Sequence, residues 1–242
     1  MLEAAFWGFV GGFALLVGAV VGLRVDVSRR AIGLVMAFGS GVLISALAFE
    51  LTADAIRGGG WDATSLGLAL GSLTFFAGDR MLDRMGGAGR KRSAGPGPSG
   101  AALGIVLGAV LDGIPESVAI GLSLLAGEGV SIAVVAAVFL SNVPESLSAA
   151  TGLKETMSPR RILTLWAAVA LVSTVAAGLG YGALGGASAD LTATIQAFAA
   201  GAILTMLADT MMPEAFDAEG RTSFTGVVTT LGFALAALLS TF

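Results

Sequence analysis

Seven polar residues sit deep in apolar stretches, in two nearly identical phrases. One is Leu-Asp-Gly-Ile-Pro-Glu-Ser at 111–117, and the other is Leu-Ser-Asn-Val-Pro-Glu-Ser at 140–146. Asp112 and Glu116 are four residues apart, so on a helix they project from one face; Ser141 and Glu145 share that spacing. Asn142 is turned about a third of a circle from them. Pro115 and Pro144 remove a backbone donor each and leave the carbonyls of Leu111 and Leu140 without their helical partners. An acid at mid-bilayer costs about 2.5–3.5 kcal/mol on insertion scales. Three such acids (Asp112, Glu116 and Glu145) need a compensating charge, and the economical one is a cation. Carboxylates with a hydroxyl and an amide form a hard, all-oxygen donor set. It suits Mn²⁺, Fe²⁺, Mg²⁺ or Ca²⁺ and disfavours Zn²⁺ without excluding it. The alternative is a hydrogen-bonded polar patch of protonated acids joining the two helices.

The composition puts these residues in a membrane. Apolar residues make up 55% of the 242, charged residues 12%, and mean hydropathy is +0.89; soluble domains carry about 25% charge. There is no Cys, hence no thiolate ligand, and no His, the commonest transition-metal ligand. The first apolar run has Glu3 ahead of it and no basic segment, so it reads as a first span rather than a cleaved leader.

Eight apolar segments of spanning length can be drawn: 3–23, 31–56, 63–82, 101–126, 130–153, 161–184, 190–213 and 223–242. The expected fold class is an all-α, polytopic membrane protein of eight helices in one domain, 1–242. Residues 83–100, rich in Gly, Pro and basic residues, form a linker between the third and fourth spans. Of the 13 Lys and Arg residues, all but Arg57 fall in the odd-numbered connections. By the positive-inside rule that side is cytoplasmic and both termini lie outside. The expected location is the inner (plasma) membrane.

Residues 37–44 (Ala-Phe-Gly-Ser-Gly-Val-Leu-Ile) align with 197–204 (Ala-Phe-Ala-Ala-Gly-Ala-Ile-Leu), Leu47-Ala48 with Leu207-Ala208, and Asp54-Ala55 with Glu214-Ala215. The second and seventh spans run in opposite directions. This predicts inverted halves of three spans each around the two central spans, a 3+2+3 arrangement found in secondary transporters. Glu50 and Asp54 on the outer side, with Asp209 and Glu214 on the inner side, are candidate stations on a cation pathway; helix-end acids at the interface are the plainer reading.

In these motifs the chain resembles the ZIP (Zrt/Irt-like) family of divalent-metal transporters, most of all its short bacterial members. The family pattern His-Asn-x-Pro-Glu-Gly corresponds to Asp112-Gly113-Ile114-Pro115-Glu116-Ser117, and the fifth-span pattern falls on Ser141 to Ser146. The second-span ending is echoed by Glu50 to Ala55 and the seventh-span ending by Met212-Pro213-Glu214-Ala215. The resemblance implies a primary metal site of Asp112, Glu116 and Glu145 with Ser141 as a weak fourth ligand. Asn142 is what remains of a secondary site. Both motif histidines are replaced, by Asp112 and Ser141, the fourth-span Asn is Gly113, and the sixth span has no acid, so one metal is expected rather than two. The resemblance also implies that the first, fourth, fifth and sixth helices carry the ion past the others.

The expected function is transport of a divalent metal ion (Mn, Fe, Zn or Cd) by alternating access. The chain is expected to be no enzyme and to use no organic cofactor. Its expected partners are the bilayer and the ion, with a homodimer compatible with small-residue ridges such as Gly104-x-x-x-Gly108; no nucleic acid is expected. Two other readings stand beside it. One is a ZIP-fold protein that has lost transport and serves as a sensor, proton leak or partner-binding protein. The other is an intramembrane aspartyl protease built on Phe76-Ala77-Gly78-Asp79.

Overall fold

The computed structural model describes residues 1–84, 101–126, 129–219 and 224–240. Most of the expected linker, including Arg90, Lys91 and Arg92, lies outside these. Among the described residues there are nine α-helices and no strand: α1 Leu2–Arg24, α2 Arg29–Ala46, α3 Ala53–Leu82, α4 Ala101–Ser123, α5 Ile132–Leu153, α6 Pro159–Leu184, α7 Ala189–Met206, α8 Met212–Glu219 and α9 Thr225–Leu239. Serine hydroxyls cap the starts of three of them. Ser28, Ser131 and Ser188 accept from the amides of Ala31, Val134 and Leu191, meeting donors that a helix start leaves unsatisfied. α6 opens on Ser158 followed by Pro159, whose missing N–H costs nothing there.

Six helical stretches are long and apolar enough to cross a membrane, the mark of a multi-pass membrane chain. The sequence predicts eight segments, and the difference has two local causes. The chain stays helical from Arg29 to Leu82, so the second and third segments form one stretch. Only Gly60 interrupts it, with φ 71° and ψ −173°, a backbone conformation that L side chains rarely adopt. α9 has 15 residues, about 22 Å of helix against the roughly 30 Å of a hydrocarbon core.

Two turns at related places in the chain depart from α geometry. Leu47–Thr52 and Leu207–Met211 are π-helical. They begin at the two residues that the internal repeat aligns, so the repeat extends to backbone geometry. π turns are rare and concentrate at functional sites.

The helices pack as two groups. α1 lies against α5 and α6, and α4 against α6; α2 lies against α8 and α9, and α3 against α7. Within the first group α1 and α5 run parallel, since Gly11 abuts Val138 and Gly22 abuts Leu147. α1 and α6 are antiparallel, with Gly8 against Ala177 and Gly12 against Ala170. In the second group α3 and α7 are parallel: Gly59 meets Ala193, Gly67 meets Ala197, and Thr205 Oγ1 donates to Ser72 Oγ at 2.9 Å. The contact surfaces are rich in Gly and Ala, which let helix backbones approach closely where lipid offers no hydrophobic contrast. The groups meet where α2 packs on α5 and α4 on α7, through Met36, Leu43, Leu47, Val138, Leu147 and Ile203 in the main core. Large apolar side chains point outward instead: Phe6, Phe9 and Phe13 on α1, Leu171, Val175 and Leu179 on α6, and Leu231, Leu235 and Leu238 on α9. A surface so apolar suits lipid rather than water.

Candidate cation site between helices α4 and α5

The repeated Pro-Glu-Ser phrases fold the same way twice. Ser117 Oγ donates to Gly113 O at 2.6 Å, and Ser146 Oγ donates to Asn142 O at 2.8 Å. Each hydroxyl thus satisfies a carbonyl one turn back, beside the proline that thins the ladder. The Leu140 carbonyl, deprived of its partner by Pro144, points toward α2 beside Gly39; a side chain at Gly39 would crowd it. The methionines Met206 and Met211 are fully buried in the apolar core, where they act as packing rather than as soft ligands.

The two helices bring their polar faces together. Ser141 Oγ lies 3.4 Å from Glu116 Oε1 and 3.0 Å from Val138 O, sharing its one hydroxyl hydrogen between these two acceptors. Asp112 precedes Glu116 by one turn of α4, and Glu145 follows Ser141 by one turn of α5. Asp112 and Glu116 are 1% exposed and Glu145 is 4% exposed. The expected convergence of Glu116 and Ser141 is therefore present. Among the described residues, no three acidic side chains stand close enough together to hold a metal ion between them. Asn142 has a partner that the sequence does not reveal: its Nδ2 donates to Gly11 O of α1 at 3.1 Å. Its amide nitrogen ties α5 to α1, leaving the amide oxygen as its remaining acceptor.

The outer candidate acids line a separate space. A cavity of about 730 Å³ at one end of the molecule is bordered by Glu50, Asp54, Arg57, Ser123, Ser131 and Gln196. Glu50 Oε2 accepts from Ser131 Oγ at 2.8 Å, and Asp54 pairs with Arg57. Along α4 the order from this cavity inward is Ser123, Ala119, Glu116; along α5 it is Ser131, Val134, Val138, Ser141. Between cavity and acids, Leu43, Leu47, Leu51, Val134, Val138 and Ile203 close around a void of only about 10 Å³, too small for a hydrated ion. Beyond the acids, Ser148 Oγ donates to Glu214 Oε1 at 2.6 Å, and Glu214 is 6% exposed. Asp209, by contrast, is exposed. Further along, the Lys154 ammonium donates to Asp26 at 2.8 Å and holds that exposed carboxyl below its usual 3.8. This brings the α1–α2 and α5–α6 connections to one end of the molecule.

No protein-family model matches the chain, and no curated protein matches it.

Proposed function

We propose that this protein carries divalent metal cations across a bilayer, through a site formed by Asp112, Glu116, Ser141 and Glu145, and that it is a distant member of the ZIP family. The observation that carries the proposal is the meeting of Glu116 and Ser141 across two proline-broken helices, with further buried acids one turn away on each. A bound dication draws Asp112, Glu116 and Glu145 inward and offsets the cost of keeping carboxylates away from water. Ligand hardness makes Mn²⁺ and Fe²⁺ good cargo, with Zn²⁺ and Cd²⁺ carried less selectively.

The eight-span, 3+2+3 arrangement belongs to the same proposal. Three observations support it: the break at Gly60, the π turns at repeat-related positions, and the parallel pairs α1/α5 and α3/α7. The inward orientation of the basic end is supported by Asp26 meeting Lys154 at one end while Arg57 borders the cavity at the other. The cavity is then the outer mouth, with Glu50 and Asp54 as its acids, in the plasma membrane with both termini outside.

The test is uptake into proteoliposomes of purified protein across Mn²⁺, Fe²⁺, Zn²⁺, Cd²⁺, Mg²⁺ and Ca²⁺. Saturable uptake of a transition-metal dication, absent from liposomes without protein, is the expected result. Tight binding without uptake would favour the reading of a ZIP-fold protein turned sensor, and neither binding nor uptake would refute the proposal.

A further inference from the structure

We propose that the hydrogen bonds Ser131–Glu50 and Ser148–Glu214 are two releasable ties, one at each end of α5, whose strengths set which end of the seam between the helix groups opens. The inference rests on the reading above, in which the α1/α4/α5/α6 group moves against the other.

Both bonds cross that seam. Ser131 and Ser148 belong to α5 and its cap; Glu50 lies in the π turn that ends α2, and Glu214 lies on α8, which packs on α2. They are 17 positions apart on one element, about 25 Å along its axis. The candidate cation residues Ser141 and Glu145 fall between them. One tie borders the outer cavity, and the other is buried on the far side of the acids.

The contacts between the ties are of another kind. Leu43, Leu47, Val138, Leu147 and Ile203 pack by apolar contact, and Gly39 lies against the backbone of Leu140 and Ser141. Apolar contact is non-directional, so a helix can shift across it and repack at modest cost. A hydrogen bond to a carboxyl is directional, and opening it costs most where water cannot reach the groups it leaves unsatisfied. The two ties are therefore the steps at which the seam resists.

The repeat explains why there are two. Each acid is carried by or closely follows a π turn, Leu47–Thr52 for Glu50 and Leu207–Met211 for Glu214. Those turns begin at repeat-related residues, and a wide turn interrupts the regular hydrogen-bond ladder, so each acid is mounted where the backbone yields most readily. The ties differ in strength: Glu214 is buried, whereas Glu50 is half-exposed beside a large cavity where water competes.

The chain has no native cysteine, so single cysteines report each end cleanly. Leu147→Cys is the inner reporter and Val134→Cys the outer reporter; both positions are buried. The probe is alkylation by N-ethylmaleimide, a neutral reagent, on detergent-purified protein without any metal. The rate follows the open population when closing is fast. Ser148→Ala should raise the rate at the inner reporter about three- to tenfold and leave the outer reporter unchanged. Glu50→Ala should raise the rate at the outer reporter by a smaller factor, about two- to threefold, and leave the inner reporter unchanged. Glu50 is altered rather than Ser131 because Ser131 also caps α5. Ser148→Thr, which keeps the hydroxyl, should return the inner reporter to the parent rate. The proposal is overturned if neither variant changes its own reporter, if either variant raises both reporters alike, or if Ser148→Thr reacts as fast as Ser148→Ala. No cation takes part, so failure here leaves the transport proposal standing, and failure of uptake leaves these rates informative.

Discussion

Replacing Gly18 by alanine tests the closeness of α1 and α5 at the level of the acids. A Cβ at Gly18 would sit 3.0 Å from the carbonyl carbon of Val143, and closer still to its oxygen and to Ser146 Oγ. Carbon atoms settle at about 3.5–4.0 Å, so the helices must part by roughly 1 Å or the Val143–Ser146 turn must deform. Ser146 is not free to swing aside, because its hydroxyl is engaged with the Asn142 and Val143 carbonyls. Overpacking of this kind costs about 1–3 kcal/mol, reduced by up to about 1 kcal/mol for the better helix propensity of alanine. At about 2–4 °C per kcal/mol for a chain of this size, Tm should fall by several degrees. The assay is thermal unfolding of purified protein in detergent, with Gly226→Ala as control, since nothing stands within 4 Å of a Cβ there. The control should hold or gain stability. Because Glu145 lies inside the deformed turn, Gly18→Ala should also weaken cation binding. A Gly18→Ala protein as stable as the parent would refute the α1–α5 packing on which the placement of Glu145 depends.

Other outcomes follow from the same geometry. Asp112→His combined with Ser141→His should shift competition binding toward Zn²⁺ and Cd²⁺ over Mn²⁺ and make binding weaken in mild acid, because imidazole binds metal only when deprotonated; an unchanged metal ratio would show that ligand hardness does not set selectivity. Single cysteines at Gly60 and Gly186 should label from outside intact cells and one at Ser158 only from inside, and outside labelling at Ser158 would reverse the orientation. The Asp26 carboxyl should titrate below its usual 3.8 by carbon-detected NMR and return toward it in Lys154→Met, since the Lys154 ammonium stabilises the ionised form. With a depressed folded value, that small surface contribution is present above the ordinary carboxylate range and is lost as pH falls through the folded midpoint.

Helix extents were legible where apolar length alone decides them: 3–23, 130–153 and 161–184 correspond to Leu2–Arg24, Ile132–Leu153 and Pro159–Leu184. The approach of Ser141 to Glu116 was legible too, because equal spacing on two antiparallel neighbours fixes which faces meet. The continuous helix past residue 56 was not, since Arg57 to Gly60 has the composition of a turn and only Gly60 breaks the helical backbone. The π turns leave no compositional trace, because one added residue per turn changes hydrogen bonding without changing residue preference. Partnerships across long separations were invisible for a similar reason. Asn142 with Gly11 and Ser148 with Glu214 join residues 131 and 66 positions apart, and only the packed helices bring them together. For Asn142 the gain is a revised role, a tie from α5 to α1 beside the acids rather than only a neutral ligand among them.

The most direct test of the central claim is equilibrium binding of Mn²⁺ and Cd²⁺ to the purified protein by calorimetry, compared with Asp112→Ala and Glu145→Ala. Outer-shell partners of metal sites are worth about 10–100-fold in affinity, so loss of either acid should cost more than that, while Asn142→Ala should cost about tenfold. The predicted result is one bound dication per chain in the parent protein and no measurable binding when both acids are removed together. Binding that persists undiminished in the Asp112→Ala, Glu145→Ala double variant would contradict the assignment of the cation site to α4 and α5.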